Sequence, residues 1–274
     1  MPDLTVREYP VQARLGRHMV LDPRSLAYTR IYDGQPLHAR EWEPTIPVLD
    51  QQDLISQGID TDDWHPHSGT VDALGSCTGN AGTAVLSCLL SKAEAAAARL
   101  DTTDAAAAER FAISLYADAT RADEWHRRQW PSEDCGSSGL GVAKVLKRRG
   151  LIQQYGHATT AHQLAVLLQT GPVLMGMPWH EAFFEPPASA LLDDIRGWEH
   201  SPLAGGHEVA VIALDKVTIG RTGVLDLRNT LLRIRNSWSA SWGDGGDFRM
   251  SLAVYQALRD QIDLIQPRIE GARP

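Results

Sequence analysis

Three side chains that lie far apart in the chain have the types that thiol chemistry needs: Cys77, His207 and Asn236. Cys77 stands among small residues in GSCTGNA, at the head of an Ala- and Leu-rich stretch that reads as a helix with Ser76 as its cap. A thiol is mostly protonated at neutral pH, but the unpaired N–H groups and dipole of a helix start favour the thiolate. His207 enters an apolar run behind two glycines, GGHEVAVIAL, where a substrate backbone has room to approach. An imidazolium beside the thiol lowers its pKa further and can later give its proton to a leaving amine. Asn236 closes the run LLRIRN, from which an amide can hold the imidazole in one tautomer, and Trp238 can shield the pair from water. Each residue alone has a plainer account. A cysteine on a helix is usually a small buried apolar residue, as Cys88 reads, and an Asn before Ser at a strand end is usually a turn residue. In this order and with these flanks the three support one another.

Elements must bring them together, and the pattern divides the chain in two. TGNAGTAVLSCLLSKAEAAAARL predicts one long helix starting at or beside Cys77. AAAAERFAISLYADATRADEW predicts a second, GLGVAKVLKRRG a third closed by Gly150, and AHQLAVLLQTG a short one ending at Gly171. Short β-type runs follow: GPVLMGMPW, GGHEVAVIALD, VLDL, TLLRIRN and DFRMS, separated by Gly, Asn and Asp turns. Helices before antiparallel strands make the fold class α+β, with a cleft expected between the halves. The first fifty residues, rich in Pro, Arg and Asp, read as an irregular arm, and 51–75 as a polar loop region.

The bulk numbers narrow the function. A chain of 274 residues with 43% hydrophobic residues can bury a sizeable core. A net charge of −8 argues against general nucleic-acid binding, which needs a basic face. No run approaches the length of a membrane span, and the N-terminus lacks the apolar core of a signal peptide. Three cysteines do not make a disulfide framework, so the expected setting is cytoplasmic and reducing, with export by a non-standard route as the alternative, and without a membrane partner.

GSCTGNA, GGHEVAVIAL and RNSWSASWGDGGDFRM resemble, in order, the three signature blocks of papain-like cysteine peptidases. The third is the most specific, because Asn-Ser-Trp followed by Trp-Gly-Asp-x-Gly and an aromatic is hard to obtain by chance. EDCGSSGLGVAKVLKRRG resembles the family segment whose Gly-rich turn lines the acyl side of the cleft, and GPVLMGMPWHEAFF the strand before the histidine. Coverage runs from Pro47 to Met250, in the style of the bacterial members. The resemblance implies a two-lobed fold, a helical lobe over 72–165 facing a β-barrel-like lobe over 166–250 that also takes in parts of the N-terminal region. It sets an arm at 1–46 before a catalytic domain at 47–274. It implies Cys77 as nucleophile, His207 as general acid/base and Asn236 as orienting residue. Gly136, Ser137 and Ser138 would pair with substrate backbone as an added strand, with Gly206 and Trp238 also lining the site. A peptide or protein is the implied substrate, and no cofactor is called for.

The sequence departs from the family pattern in three ways. Leu74 stands where the family has a cysteine beside the cleft, which leaves Cys135 without its usual partner. The arm is shorter than the family's helical pro-segment, so activation by its removal is not expected. The family's glutamine six residues before the cysteine, whose amide completes the oxyanion hole, is here Val71. However, IPVLDQ ends at Gln51 in the Pro-Val-x-Asp-Gln pattern that commonly precedes the cysteine. The block thus reads as split by an inserted loop over 52–71, leaving Gln51 as the helper, with Gln52 and Gln57 lacking that context. WHPH places His65 and His67 two apart, but a metal site needs three or four ligands and the others are scattered, so the expectation is a solvated loop and no metal. Three functions compete: a thiol peptidase, a catalytically silent peptide-binding module, and a thiol acyltransferase using the same acyl-enzyme. The intact Cys-His-Asn set favours catalysis.

Overall fold

The computed structural model describes residues 4–28, 36–59 and 71–269. His65, His67 and most of the expected insertion lie outside these residues.

Four helices build the first half: α1 (Cys77–Leu89), α2 (Lys92–Ala97), α3 (Ala105–Ala122) and α4 (Gly139–Arg148). Every residue of α1 from Cys77 to Ser87 is buried, which is why the stretch holds only small and apolar or short polar side chains. Gly79 lets α1 approach α3 so closely that a Cβ there would overlap the Ala112 carbonyl. The single long helix expected from Thr78 onward is two. Ser91 accepts from the Glu94 N–H while the Glu94 side chain accepts from the Ser91 N–H, and this capping box starts α2 as a separate helix. Ser76 does not cap α1 with its side chain; its hydroxyl donates instead to Asn80 Oδ1, 2.8 Å away.

The second half is an antiparallel sheet. Its strands run in the order β4 (Gln154–Ala158), β9 (Asp263–Arg268), β5 (Val173–His180), β6 (Leu203–Lys216), β7 (Leu231–Arg235) and β8 (Asp247–Ser251). A short β3 (Arg40–Glu41) also pairs with β6. The helices α5 (Ala161–Leu167) and α6 (Leu252–Leu258) pack beside the sheet. β6 is the dividing wall. Val209 and Val211 face a core shared with Met175, Met177 and Ile234, whereas Ala210 and Ile212 face the helical core around Val85 and Leu140. Alternation along a strand therefore sends His207 and Glu208, at the start of β6, to opposite sides of it. The fold is α+β, helices first and antiparallel strands after. VLDL is not a strand: Leu225 makes only an isolated bridge with Ile219.

The arm is not irregular either. β1 (Thr5–Arg7) pairs antiparallel with β2 (Met19–Leu21), with Thr5 opposite Leu21, and the chain between them forms a hairpin. Its tip closes with reciprocal backbone hydrogen bonds between Gln12 and Leu15, each 2.9 Å. Three-residue strands carry too little periodicity to be read from sequence.

Candidate active site

Cys77 opens α1 at the floor of the groove between the halves, with none of its surface exposed. Its Sγ accepts the N–H of Glu208 at 3.5 Å and that of Gly16 at 3.4 Å. The first contact brings the thiol to the start of β6, beside His207. The second comes from the hairpin tip. Burial pushes the Cys77 thiol up to about 12, against the pull of those two N–H groups. Here the thiolate expected at a helix start is not favoured, because desolvation outweighs the helix-end donors.

His207 is fully buried in β6 opposite Met177. Its Nε2 lies 2.7 Å from Asn236 Oδ1, so Nε2 carries the proton and donates, leaving Nδ1 free of hydrogen-bond partners. Asn236 holds this place because its N–H donates to Gly246 O in the turn after β7. Aromatic rings wall the imidazole: Trp179 at 4.7 Å and Trp238 at 4.8 Å between ring centroids. Trp179 was not singled out from sequence, though it ends the GPVLMGMPW strand that pairs with the histidine strand. Burial lowers the His207 pKa to about 4, with Asn236 and the Arg14 backbone opposing. In this state the pair is a neutral thiol and a neutral imidazole.

Gln51 reaches the site through strand-like pairing with the third signature block. Its N–H donates to Ser237 O at 3.0 Å, and Asp50 bridges Trp238. The fully buried side chain accepts the Ser237 hydroxyl at Oε1, and its Nε2 donates to Leu74 O at 2.9 Å and Arg14 O at 3.1 Å. Arg14 and Gly16 belong to one hairpin tip, so the Gln51 amide and the Cys77 sulfur touch nearly adjacent points on the same backbone. Val71, by contrast, is partly buried beside Leu54, Ile59, Tyr116 and Trp130, in an apolar cluster. The Leu74 N–H donates to Gln51 O at 3.2 Å, so the chain on either side of the insertion meets again. Gln52 donates to Trp238 O, and Gln57 to Asp50 and Asp53 carbonyls.

The remaining candidate contacts are occupied by the hairpin. Ser137 bridges Arg17 in parallel register: its N–H donates to Gly16 O and its carbonyl accepts from His18 N, both at 2.7 Å. Gly206 O accepts from Arg17 N at 3.1 Å. Gly136, at φ +70°, packs against the Gly16 carbonyl where a side chain would collide. The hydroxyls of Ser137 and Ser138 both turn away to the Asp123 carboxylate at 2.7 Å, so this turn offers backbone, not side chains, to the cleft. Ser138 also caps α4 through Gly141 N. A relay fixes the turn to the chain leading into Cys77: Gly136 N donates to the Tyr116 hydroxyl, Tyr116 to Asp134, and Gly75 N to the same carboxylate. Arg14, Gly16 and Arg17 are thus the site residues that sequence reasoning missed. Nothing local marks them, since only the folded hairpin carries them into the groove. The three cysteines are free, with Cys135 Sγ near Gly136 O.

No family model matches the sequence, and no curated protein matches it. Solved structures do. The fold is similar to that of xylellain, a cysteine protease from Xylella fastidiosa, with a TM-score of 0.62 and 17% identity over 96% of this chain and 98% of that one. It is also similar to digestive procathepsin L 3 of Tenebrio molitor larval midgut (TM-score 0.52, 12% identity, 94% of this chain and 76% of that one). The proform of the ragweed pollen cysteine protease Amb a 11 gives 0.51 and 10% identity over 96% and 73%. The chain therefore has the papain-like fold. At these identities the likeness is one of fold, and function rests on the site itself.

Proposed function

We propose that this protein is a papain-like cysteine peptidase held in a closed, latent form by its own N-terminal hairpin. The observation that carries the proposal is convergence. The Cys77 sulfur and the Gln51 amide both meet hairpin residues 14–16, and the Asn236-bound His207 adjoins Glu208, whose N–H meets the same sulfur, where a peptide bond would have to lie. Peptide backbone already fits there, but unproductively: the tip offers the sulfur an N–H donor, not a carbonyl carbon.

Once the hairpin leaves, water re-enters and the desolvation that keeps both groups neutral is relieved. The Cys77 proton then passes to His207 Nδ1, and the thiolate attacks the substrate carbonyl carbon. The carbonyl electrons move to oxygen, where the Cys77 N–H and Gln51 Nε2 stabilise the charge. As the tetrahedral carbon collapses, its C–N bond breaks and His207 gives its proton to the departing amine. A thioester remains on Cys77. Water then attacks it, losing a proton to His207, and the C–S bond breaks to release the acid and the thiol. Asn236 accepts from His207 Nε2–H throughout and keeps Nδ1 turned to the sulfur.

A peptide-library cleavage profile of the full chain against Cys77→Ala tests the reading. Cleavage that depends on Cys77 is expected. No turnover under any condition that exposes Cys77 to an alkylating agent would leave a silent peptide-binding module. Products carrying an added amine in place of water would mark a transferase.

A further inference from the structure

Arg17 runs from the hairpin tip into the seam between sheet and helices and is fully buried. Its guanidinium pairs with the Asp263 carboxylate of β9 and lies 5.1 Å from the centroid of the Tyr9 ring. Glu208, also buried, faces the same seam. Burial alone would lower the guanidinium's pKa, but Asp263 and Glu208 outweigh it and leave it raised. Burial, with Asp263 beside it, pushes the Glu208 carboxyl well above the usual carboxylate range, and Arg17 pulls the other way. Glycines make the space. A Cβ at Gly176 of β5 would overlap Arg17 and Asp263, and one at Gly139, the head of α4, would overlap Glu208.

The occupant does not use all that the pocket offers. Both Glu208 oxygens, Asp263 Oδ2, and Arg17 Nε and Nη1 have no hydrogen-bond partner. A pair built only to hold the hairpin down would match donors to acceptors, since a buried ion pair adds little net stability without them. A pocket that receives cations carried on different backbones would keep such spare acceptors. Its place also ties it to bond cleavage. Glu208 follows His207, and its N–H touches the Cys77 sulfur. Gly16, against that sulfur, marks the position of the residue whose carbonyl is attacked. Arg17, one step toward the Ser137 turn on the acyl side, marks its neighbour.

We infer that, once the hairpin leaves, the pocket of Gly139, Gly176, Glu208 and Asp263 binds a cationic substrate side chain, so that the enzyme selects peptides with arginine or lysine at the second residue on the acyl side of the cleaved bond. This rests on the peptidase reading and adds the substrate class. Arginine's planar fork can engage the Asp263 carboxylate and a Glu208 carboxyl oxygen at once, whereas a neutral side chain leaves the Asp263 charge buried without a cation.

The test uses the full chain carrying Gly16→Ala, whose added methyl overlaps the Gly75 carbonyl and drives the tip from the groove. Fluorogenic peptide amides differ only at the second residue: arginine, lysine, leucine, or citrulline, the uncharged isostere of arginine. Arginine is expected to exceed citrulline in kcat/KM by about 30- to 100-fold. Glu208→Gln and Asp263→Asn, each added to Gly16→Ala, should cut that ratio about tenfold or more. Equal cleavage of arginine and citrulline peptides, or a ratio untouched by both carboxylate variants, overturns the inference while leaving a peptidase. A second arm needs no activity. Full-chain Arg17→Ala should show a saturable rise in Tm with methylguanidinium, absent from wild type and lost on adding Glu208→Gln. No rise overturns the pocket's preference whatever the turnover. A rise with no substrate cleaved keeps the cation pocket and removes the peptidase. If Arg17→Ala does not fold, the selectivity ratio decides alone.

Discussion

On the peptidase reading proposed above, the Gln51 side chain divides its two ends between structure and chemistry. Oε1 accepts the Ser237 hydroxyl and so ties Gln51 to the block that carries Asn236. Nε2 points the other way, to the carbonyls of Leu74 and Arg14, on the approach to Cys77. In the proposed mechanism the hairpin's Arg14 carbonyl takes the place of the developing oxyanion, and a substrate carbonyl that replaces it meets the same donor. Gln51→Met keeps volume and removes the donor. In the Gly16→Ala background it should lower kcat by about 10²–10³ with little change in KM, and cost about 1–3 kcal/mol of stability through the orphaned Ser237 and Leu74 groups. Paired kinetics and denaturant melts separate the two effects. A variant that loses stability and keeps kcat would remove Gln51 from catalysis.

Among elements, the join between α1 and α3 shows how the helix that carries Cys77 is held. Glu109 of α3 is fully buried and accepts from Asn80 Nδ2 of α1 at 2.5 Å and from the Asp50 N–H at 3.1 Å. Burial pushes its carboxyl up to about 7 from an ordinary value near 4.5, those donors opposing. The folded state therefore binds more protons than the unfolded one between these values, and stability falls as pH rises through about 4.5 to 7, by about 3 kcal/mol for this group. Glu109→Gln should be less stable at pH 5 yet lose less between pH 5 and 8, as thermal melts will show. A wild-type pH slope retained in the variant would reject Glu109 as its source. The hairpin carries a titrating group of the opposite sense. His18 Nδ1 accepts from Tyr9 N at 3.1 Å and Nε2 donates to Cys135 O at 2.8 Å, an arrangement open only to the neutral ring. Burial lowers its pKa below 6.5, helped by His126 and Arg128 and opposed by Cys135 O and Glu8. The closed hairpin is thus fully favoured above about 6.5 and weakens as pH falls below that value. Hydrogen exchange at residues 9–18 should accelerate on acidification beyond the intrinsic rate, and His18→Gln should flatten that change. Protection independent of pH in the wild type would sink it. The sequence showed Cys77, His207 and Asn236 because each carries a distinctive local frame, and Gln51 because Pro-Val-x-Asp-Gln survives intact. It hid what depends on distant pairing: β9 contains Pro267 and reads poorly as a strand, yet lies between β4 and β5. The Ser91 capping box was legible but lost within a run of good helix formers.

At the scale of the whole molecule, the hairpin tip covers the proposed site. Backbone hydrogen bonds from Arg14 to Leu74, Arg17 to Gly206 and His18 to Ser137, with Leu15 buried in the sheet-side core, stitch the tip across both halves. The exposed Arg128–Glu8 pair on the hairpin adds little to this closure. Because the tip excludes water, the thiol stands near 12 and the imidazole near 4, and the reactive ion pair is scarcely populated between them. Reactivity of Cys77 should then be gated by hairpin opening, and not by the intrinsic acidity of the thiol. In the wild-type chain, iodoacetamide labelling of Cys77 at pH 7 should be slow and should saturate with reagent concentration, at a ceiling set by the opening rate. In Gly16→Ala, labelling should be at least about tenfold faster, first order in reagent, and dependent on pH through a thiolate–imidazolium pair that can now form. Cys88, which burial also pushes up to about 12 and whose sulfur meets only the Trp42 and Ala84 carbonyls, away from the tip, provides an internal reference whose labelling should not change. Mass-spectrometric mapping of both sites reads this directly. Equal Cys77 labelling in wild type and Gly16→Ala would mean that the hairpin does not control access, and the latent form would have to be abandoned even if the triad were sound.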